Sequence, residues 1–532
     1  MKTLYINGRV FTGTLPLQDS FAVENGRFAE PENAQQVVDL HGAFVCPGFI
    51  DSHMHVLNYG SAMEQCDLSV ATGSAAQLQQ ALRKHMSHLP EDAWVLGRGW
   101  NQDYFVPDTG MPTRRELDAV TTERPVCIVR CCGHCLVVNS RAMEMLGIDE
   151  NTASPEGGSI DRDENGKLTG VFRDTAMTLV QGRLPVPQTQ DLKRMMKTAM
   201  RALNRVGVTS CHSDDFCAFD GVPWQQVMQA YRELEEAGEM TVRVYEQSQL
   251  TTPDELRDFL KQGYKTGVGS EWFKIGPLKM LGDGSLGART AYLSQHYADA
   301  PDEKGLAIFT QEQFDEMLSI AHEGGMQSAV HAIGDGILDR VLSAYERAFA
   351  KAPPRDHRSG IVHVQLTRPD QWQKMKELNL HMYVQNIFID YDTRIVHQRA
   401  GEELAASSYA FHTFKKLGMH VSNGTDCPVE KPDPMRGVQC AVTRQPLDGS
   451  LPPYRADERM TVEEALVSYT AEGAYASFEE NFKGRIQPGM AADFVILSGN
   501  PFETAPEQLC ALHAISTYVN GKPVYQEEEE NA

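Results

Sequence analysis

The chain has 532 residues, of which 41% are hydrophobic and 23% charged, a composition typical of a folded protein. Its 72 acidic and 49 basic residues give a formal net charge of −23, which excludes nucleic acid and anionic membranes as expected partners because both would repel it. No stretch approaches the roughly 20 apolar residues of a membrane span, and the first residues lack the apolar run of a secretory leader. The eleven cysteines, an odd number scattered through the chain, indicate reduced thiols and predict a cytoplasmic protein.

Both ends of the chain carry short strand-like runs. Turns at Asn7-Gly8 and Asn25-Gly26 separate alternating segments near the start. Residues 492–497 and 515–521 have the same β character near the end. We therefore predict one small β-sandwich domain, built from both chain termini, over residues 1–46 and 485–532.

The middle of the chain alternates amphipathic and β-rich segments. Apolar residues recur at three- and four-residue intervals in four helix-like stretches: 191–206, 224–237, 311–323 and 337–350. Short β-rich runs lie between them, at 208–210, 242–245, 272–275, 327–330, 360–362 and 420–422. This order predicts an α/β fold with a (β/α)₈ TIM barrel over residues 47–484, with His212 at the end of the third strand. A doubly wound open sheet is the alternative, although no Gly-x-Gly-x-x-Gly turn follows an early strand.

Residues from about 60 to 185 do not follow the barrel rhythm. They include a Gly-rich loop at 157–170 and a Cys-rich strand at 126–132. We interpret this region as a large insertion after the first barrel strand, a place where substrate preference is commonly determined. Cys131, Cys132 and Cys135 flank His134, but no second Cys pair follows at zinc-finger spacing.

The strongest local signal is the pair His53-Met54-His55. Two histidines spaced i, i+2 on a strand point to the same face, so both imidazoles can reach one metal. The pair ends a strand after the turn Pro47-Gly48, where barrel enzymes place their chemistry.

Three more polar residues end apolar strands further along the chain, namely His331, His363 and Asp426. Each has an ordinary structural explanation when it is considered alone. Together with the first pair they give four histidines and one aspartate in register with the strand–helix rhythm. Imidazole and carboxylate ligands suit zinc, iron or manganese, and the absence of clustered thiolates argues against a structural zinc site.

Beyond these residues, five motifs carry a resemblance to a known family. They are PGFIDSHMH at 47–55, GHCLVVNS at 133–140, KMLGDGSLGAR at 279–289, HAIGD at 331–335 and GRIQPGMAAD at 484–493. Through them, essentially the whole chain resembles the amidohydrolase superfamily, specifically its family-3 branch of YtcJ-like proteins, which includes N-substituted formamide deformylases.

The resemblance implies a metal-ligand set. In it, His53 and His55 match first-strand ligands of one metal, and His331 and His363 match fifth- and sixth-strand ligands of the other. Lys279 matches the fourth-strand lysine that is carboxylated in binuclear members and bridges both metals, although periodicity alone does not distinguish it from Lys274. Asp426 matches the eighth-strand aspartate that binds metal and transfers the proton. The implied cofactor is a divalent metal, with zinc expected, as one or two ions.

The resemblance also implies substrate contacts and a reaction. By this analogy His134, Asn139, Asp283 and Arg289 lie near the substrate. Two divalent cations would share a hydroxide that attacks the carbonyl of an amide, N-formyl or N-acyl compound, breaking its C–N bond. The same metal set supports deamination, cyclic amide opening and ester hydrolysis, and a non-catalytic binding protein on the same scaffold is the alternative from another class. The expected partner is a small-molecule substrate, and a homodimer is among the assemblies we consider.

Overall fold

The computed structural model describes residues 1–70, 73–91, 93–102, 105, 110–130, 135–155, 158–351 and 353–528. Within these ranges, no helix combines the length and the apolar character that crossing a membrane requires.

The chain begins with six short strands that belong to two sheets. Their bounds are β1 (Lys2–Ile6), β2 (Arg9–Val10), β3 (Phe21–Glu24), β4 (Arg27–Ala29), β5 (Gln36–Asp39) and β6 (Phe44–Pro47). One four-stranded sheet has the order β4-β3-β1-β5, and β2 pairs with β6 in another sheet. The positive φ of Asn7 and of Asn25, 58° and 52°, shows that both predicted turns use the left-handed conformation that asparagine tolerates.

After β7 (Phe49–Met54) and α1 (Val56–Glu64), residues 60–188 pack among themselves as a separate compact unit. The described elements of this unit after α1 are β8 (Cys66–Asp67), α2 (Ala75–Met86), β9 (Val95–Trp100), α3 (Arg114–Asp118), β10 (Val126–Arg130), β11 (Cys135–Val138), α4 (Ser140–Met145), β12 (Gly158–Arg162), β13 (Leu168–Asp174) and α5 (Thr178–Gln181). Its strands form a six-stranded sheet of order β12-β13-β11-β10-β9-β8. Two apolar clusters lie within this unit, one around Trp100 and one around Phe172, so the unit has its own core.

The chain then returns to the barrel as alternating helices and strands. In order these are α6 (Thr189–Arg205), β14 (Val208–Ser213), α7 (Trp224–Glu236), β15 (Arg243–Gln249), α8 (Pro253–Lys261), β16 (Phe273–Leu281), α9 (Gln311–Glu323), β17 (Ser328–Ala332), α10 (Asp335–Ala350), β18 (Gly360–His363), α11 (Pro369–Glu377), β19 (His381–Val384), α12 (Ile389–Asp392), α13 (Val396–Ala405), α14 (Phe411–Lys416), β20 (Val421–Asn423), α15 (Pro434–Thr443), α16 (Val462–Ser468) and α17 (Ala471–Ala476). The eight parallel strands have the order β20-β19-β18-β17-β16-β15-β14-β7. The predicted TIM barrel is confirmed, and the open-sheet alternative is wrong.

One strand number in the prediction is also wrong. Strand β14, which ends near His212, pairs directly with β7 and is therefore the second barrel strand, not the third. The number of the strand was too high because the β-rich segments between β7 and β14 belong to a separate sheet and add no strand to the barrel.

The barrel closes just beyond the end of β20, where the following residues meet β7. The amide of Asp426 donates to the carbonyl of His53 at 2.8 Å, and the amide of His55 donates to the carbonyl of Cys427 at 2.8 Å. Gly424 permits this approach, because a Cβ added there would lie 2.6 Å from the nitrogen of His53. The last and first strands thus meet at the residues that the sequence marks as metal ligands.

Three strands near the C-terminus complete the second terminal sheet. They are β21 (Phe494–Leu497), β22 (Ala514–Val519) and β23 (Lys522–Gln526), and the sheet has the order β2-β6-β21-β22-β23. An aromatic cluster packs the two terminal sheets together: the ring of Phe494 contacts the rings of Tyr5 and Phe21 edge to face, at 5.5 and 5.1 Å between ring centroids. The composite β-sandwich is therefore built from both ends of the chain.

Candidate metal centre

Side chains from the first, sixth and eighth barrel strands converge at the C-terminal end of the barrel. His53, His363 and Asp426 each offer one ligand atom, and these three atoms lie within 4.8 Å of one another. All three residues are buried. Nitrogen and carboxylate oxygen at this spacing could hold a divalent metal.

The other predicted ligands lie beside these three. Atom Nε2 of His55 is 3.0 Å from Oδ1 of Asp426, and Nε2 of His53 is 3.4 Å from the same oxygen. The ring of His331 lies 4.4 Å from the ring of His363 between centroids. Atom Nζ of Lys279 is 3.4 Å from Nε2 of His53. The structure thus brings all six predicted ligand residues together.

Two glutamine side chains orient the histidines from behind. Atom Nδ1 of His53 lies 2.8 Å from Oε1 of Gln247, whose amide nitrogen donates to the carbonyl of Ser52 at 3.2 Å. Atom Nδ1 of His363 lies 2.8 Å from Oε1 of Gln385, whose amide nitrogen donates to the carbonyl of Tyr383 at 3.3 Å. Because each amide oxygen can only accept, each ring carries its proton on Nδ1 and keeps the lone pair on Nε2.

Main-chain carbonyls orient the remaining two rings. Atom Nδ1 of His55 lies 3.2 Å from the carbonyl oxygen of Asp214 and Nε2 lies 3.0 Å from Oδ1 of Asp426, so both nitrogens of this ring face acceptors. In His331 the other ring nitrogen faces a main-chain carbonyl, because Nε2 lies 3.1 Å from the carbonyl oxygen of Gly284. Nδ1 is therefore the nitrogen of His331 that keeps a lone pair.

This arrangement of acceptors fits a cation. Atom Nε2 of His53 and atom Nε2 of His55 both face Oδ1 of Asp426, at 3.4 and 3.0 Å. Lone pairs facing a carboxylate repel unless a proton or a metal ion lies between them. Since the Nδ1 partners are carbonyl-type acceptors, a metal ion satisfies all of these atoms without a change of tautomer.

The electrostatics of the cluster follow from burial and from its charges. Burial, with the nearby charge of Lys279, holds the pKa of His53 well below its ordinary value, and burial with the neighbouring His331 lowers the pKa of His363 to about 3. Both imidazoles are therefore neutral, which is the form that binds a metal. Burial alone would raise the pKa of Asp426, but its hydrogen bond to His55 and the charges around it hold that pKa below the ordinary value, so the carboxylate is ionised.

The two candidate lysines lie in different surroundings. Lys279 is buried, and its Nζ donates to Oδ2 of Asp214 at 3.1 Å within the cluster. Lys274, five residues earlier in β16, donates to Oε1 of Glu479 at 2.6 Å. Of the two, the structure places Lys279 beside the predicted ligands.

Of the predicted substrate-contacting residues, three lie in the described part of the chain, and His134 lies outside it. Asn139 caps α4, and its amide makes four hydrogen bonds to the main chain of the insertion: to Val126, Ala142, Thr121 and Arg124. Both oxygens of Asp283 accept from main-chain amides, those of Ile333, Gly334 and Tyr292. Arg289 forms a paired contact with Asp299, at 3.1 and 2.8 Å. The side chains of all three residues are therefore hydrogen-bonded to other groups of the protein.

Sequence reasoning missed the residues that support the ligands. Besides Gln247, Gln385 and Asp214, these include Asp51, whose Oδ1 accepts from the amide of His53 at 3.2 Å and from that of Thr425 at 3.0 Å. Burial raises the pKa of Asp51 to about 7. The available signal was the presence of these polar residues within or directly after strands that are buried over most of their length.

The fold and the ligand cluster define a metal-dependent barrel hydrolase, and comparison with solved structures agrees. A metal-dependent hydrolase from Pyrococcus horikoshii OT3, itself uncharacterized, matches with a TM-score of 0.79 and 29% sequence identity, covering 95% of this chain and 99% of that one.

Sequence comparisons give the family. The profile of the amidohydrolase family matches residues 36–525. The chain is 32% identical over 528 residues to the protein YtcJ of Bacillus subtilis (strain 168), which covers 99% of this chain and 96% of YtcJ. It is 25% identical over 504 residues to the N-substituted formamide deformylase of Arthrobacter pascens, with 92% of this chain and 90% of that enzyme covered. The chain therefore belongs to the amidohydrolase family.

Proposed function

We propose that the protein hydrolyses the C–N bond of a small amide, N-formyl or N-acyl compound. The observation that carries this proposal is the position of the Asp426 carboxylate within 4.8 Å of ligand nitrogens of His53 and His363, where one group can both bind a cation and accept a proton. Similarity over most of its length to an enzyme that acts on N-substituted formamides supports this choice of bond.

The ligand set that we propose comprises His53, His55, Lys279, His331, His363 and Asp426, with zinc as the metal and Lys279 carboxylated where two ions bind. Imidazole nitrogen with carboxylate oxygen is a donor set that suits zinc. The chemistry that a bound divalent metal supplies is polarisation of a carbonyl oxygen and a lowered pKa of water.

The chain's own contribution to the reaction is the transfer of a proton. An amide nitrogen is a poor leaving group until it is protonated. The carboxylate of Asp426 accepts the proton of the attacking water and then delivers it to the departing nitrogen, so it acts as general base and then as general acid. Gln247 and Gln385 hold the imidazoles of His53 and His363 in the tautomer that would offer Nε2 to a metal, and the low pKa of both rings keeps them from competing for this proton.

The test is turnover of a substrate panel by the metal-loaded protein, with metal content measured on the same samples. The panel contains an N-substituted formamide, an N-acetyl amide, a cyclic amide, an aminated heterocycle and an aryl ester. We expect the formamide or the amide to be cleaved, and Asp426→Asn to abolish turnover while most of the metal is retained. Cleavage of the ester or the heterocycle alone would overturn the proposed bond type, and full activity of Asp426→Asn would overturn the proton-transfer role.

A further inference from the structure

Asp214, directly after β14, contacts two of the proposed ligand residues. Its Oδ2 accepts a hydrogen bond from Nζ of Lys279 at 3.1 Å, and its main-chain carbonyl oxygen lies 3.2 Å from Nδ1 of His55. The side chains of Asp214 and Lys279 are almost fully buried, with exposed fractions of 2% and 1%. One residue of the second barrel strand therefore touches ligands from the first and the fourth strands.

The main chain at Asp214 is held firmly against the segment that carries His55. The amide of Asp214 donates to the carbonyl of Met54 at 3.0 Å. On either side, Oγ of Ser213 accepts from the amide of Val56 at 2.8 Å, and Oδ1 of Asp215 accepts from the amide of Leu57 at 2.8 Å. Because three consecutive residues bind main-chain groups on both sides of His55, the carbonyl of Asp214 has a fixed position relative to the ring of His55.

We propose that Asp214 is a positioning residue of the metal centre, which holds Lys279 through its carboxylate and His55 through its main-chain carbonyl. This inference rests on the ligand set of the proposed function. Asp214 acts through other residues, since the three ligand atoms that lie within 4.8 Å of one another come from His53, His363 and Asp426. Its Oδ1 is buried and has no hydrogen-bond partner among the described residues, so the fold does not use the whole carboxylate.

The physical reason is the flexibility of lysine. A lysine side chain has four rotatable bonds, and fixing it in one conformation costs more entropy than fixing most other side chains. A carboxylated Lys279 keeps one N–H on Nζ that can still donate to Asp214, so the contact holds the side chain toward the ligand cluster and lowers the entropy lost when it binds a metal. Removing the carboxylate leaves Lys279 mobile, although the main-chain contact to His55 remains.

Glu246, on the neighbouring strand β15, provides a matched control. It is also a fully buried carboxyl group, its Oε1 accepts from the amide of Asp215 at 3.0 Å, and its Oε2 has no partner among the described residues. Its hydrogen bonds reach none of the six proposed ligands. Glu246→Gln therefore removes a buried acid of similar burial close to Asp214 without removing the contact to Lys279.

The experiment measures Zn²⁺ affinity by chelator competition and the visible absorption of the Co²⁺-loaded protein, which reports the ligand geometry. We expect Asp214→Asn to weaken Zn²⁺ binding by about 10- to 100-fold and to shift the Co²⁺ spectrum. For Glu246→Gln we expect binding within about threefold of the wild type and an unchanged spectrum. Equal losses in the two variants, or wild-type binding in Asp214→Asn, would overturn the proposal.

A second measurement decides the matter if Asp214→Asn does not fold. In a crystal structure of the metal-loaded wild-type protein, the carboxylate of Asp214 should remain within hydrogen-bonding distance of the side chain of Lys279, and its carbonyl should remain bonded to His55. A carboxylate turned away from Lys279 would refute the positioning role. Both measurements report on metal binding and geometry and not on turnover. A negative result in them can therefore be distinguished from a failure to find amide hydrolysis.

Discussion

Replacing Gln247 by Met removes the hydrogen bond that orients the ring of His53 while nearly preserving the length of the side chain. Gln247 is fully buried, with Oε1 at 2.8 Å from Nδ1 of His53 and Nε2 at 3.2 Å from the carbonyl of Ser52. In the variant, Nδ1 of His53 has lost its acceptor. The ring can then move its proton to Nε2, which removes the lone pair that a metal would use.

The magnitude follows from the cost of a buried donor without a partner. Leaving the Nδ1–H of His53 unsatisfied costs about 1–3 kcal/mol, and this cost falls on the metal-bound state, where the proton must stay on Nδ1. Loss of a partner that orients a metal ligand weakens metal binding by about 10- to 100-fold, or about 1.4–2.7 kcal/mol. The two ranges agree, so we expect Gln247→Met to raise the dissociation constant of Zn²⁺ by one to two orders of magnitude.

The assay is chelator competition on purified protein, with thermal unfolding of the metal-free form measured separately. Gln365→Met is the matched control, because Gln365 is also buried near the end of a barrel strand, but its amide nitrogen donates to Asp392 at 3.0 Å and its side chain contacts none of the proposed ligands. We expect this control to bind Zn²⁺ as the wild type does. Binding within about twofold of the wild type by Gln247→Met, or an equal loss in both variants, would refute the reasoning.

Three further predictions concern acid stability, metal removal and the barrel seam, by which we mean the contact between residues 53–55 and residues 424–427. Gly424→Ala should lower the unfolding temperature and the metal content together, because the new Cβ would lie 2.6 Å from the nitrogen of His53; a stable variant with full metal content would contradict this. Burial alone would raise the pKa of Glu479, but the charges of Lys483 and Lys274 hold it at about 2, below the ordinary 4.5, so the stability that Glu479 provides is present above pH 4.5 and is lost as the pH falls toward 2. Acid titration of the metal-free protein should therefore show a weaker loss of stability in Glu479→Gln, and identical curves would refute the assignment. Dialysis against a chelator should abolish turnover and lower the unfolding temperature, since a ligand at 1,000 times its dissociation constant stabilises the native state by about 4 kcal/mol; added Zn²⁺ should restore both.

The sequence predicts the barrel and a candidate metal site because both predictions depend on local patterns. Strand–helix alternation implies parallel strands, and parallel strands place their carboxyl ends at the same edge. The sequence alone therefore groups His331 and His363, which lie on neighbouring strands, and in the structure the centroids of their rings lie 4.4 Å apart. The i, i+2 spacing of His53 and His55 likewise brings both rings near Asp426.

The supporting residues could not be predicted, because their contacts join distant parts of the chain. Gln247 lies 194 positions after His53, and Asp214 lies 65 positions before Lys279. Neither contact produces a periodic signal in its own segment. A polar residue in a buried strand is expected to have a hydrogen-bond partner, but only the folded barrel determines which partner lies within reach.

The barrel seam holds two of the proposed metal ligands, so metal binding at this site should depend on the stability of the closed barrel. His55 and Asp426 are 371 positions apart, yet the main chain of the residues around them is joined by two 2.8 Å hydrogen bonds between the first strand and the segment after the last. These ligands cannot come together until the last strand has docked on the first. Metal binding by these proposed ligands would therefore favour the closed barrel over partly folded forms, and its binding free energy would add to the free energy of unfolding. It follows that a substitution at the seam lowers metal affinity even when it touches no ligand side chain.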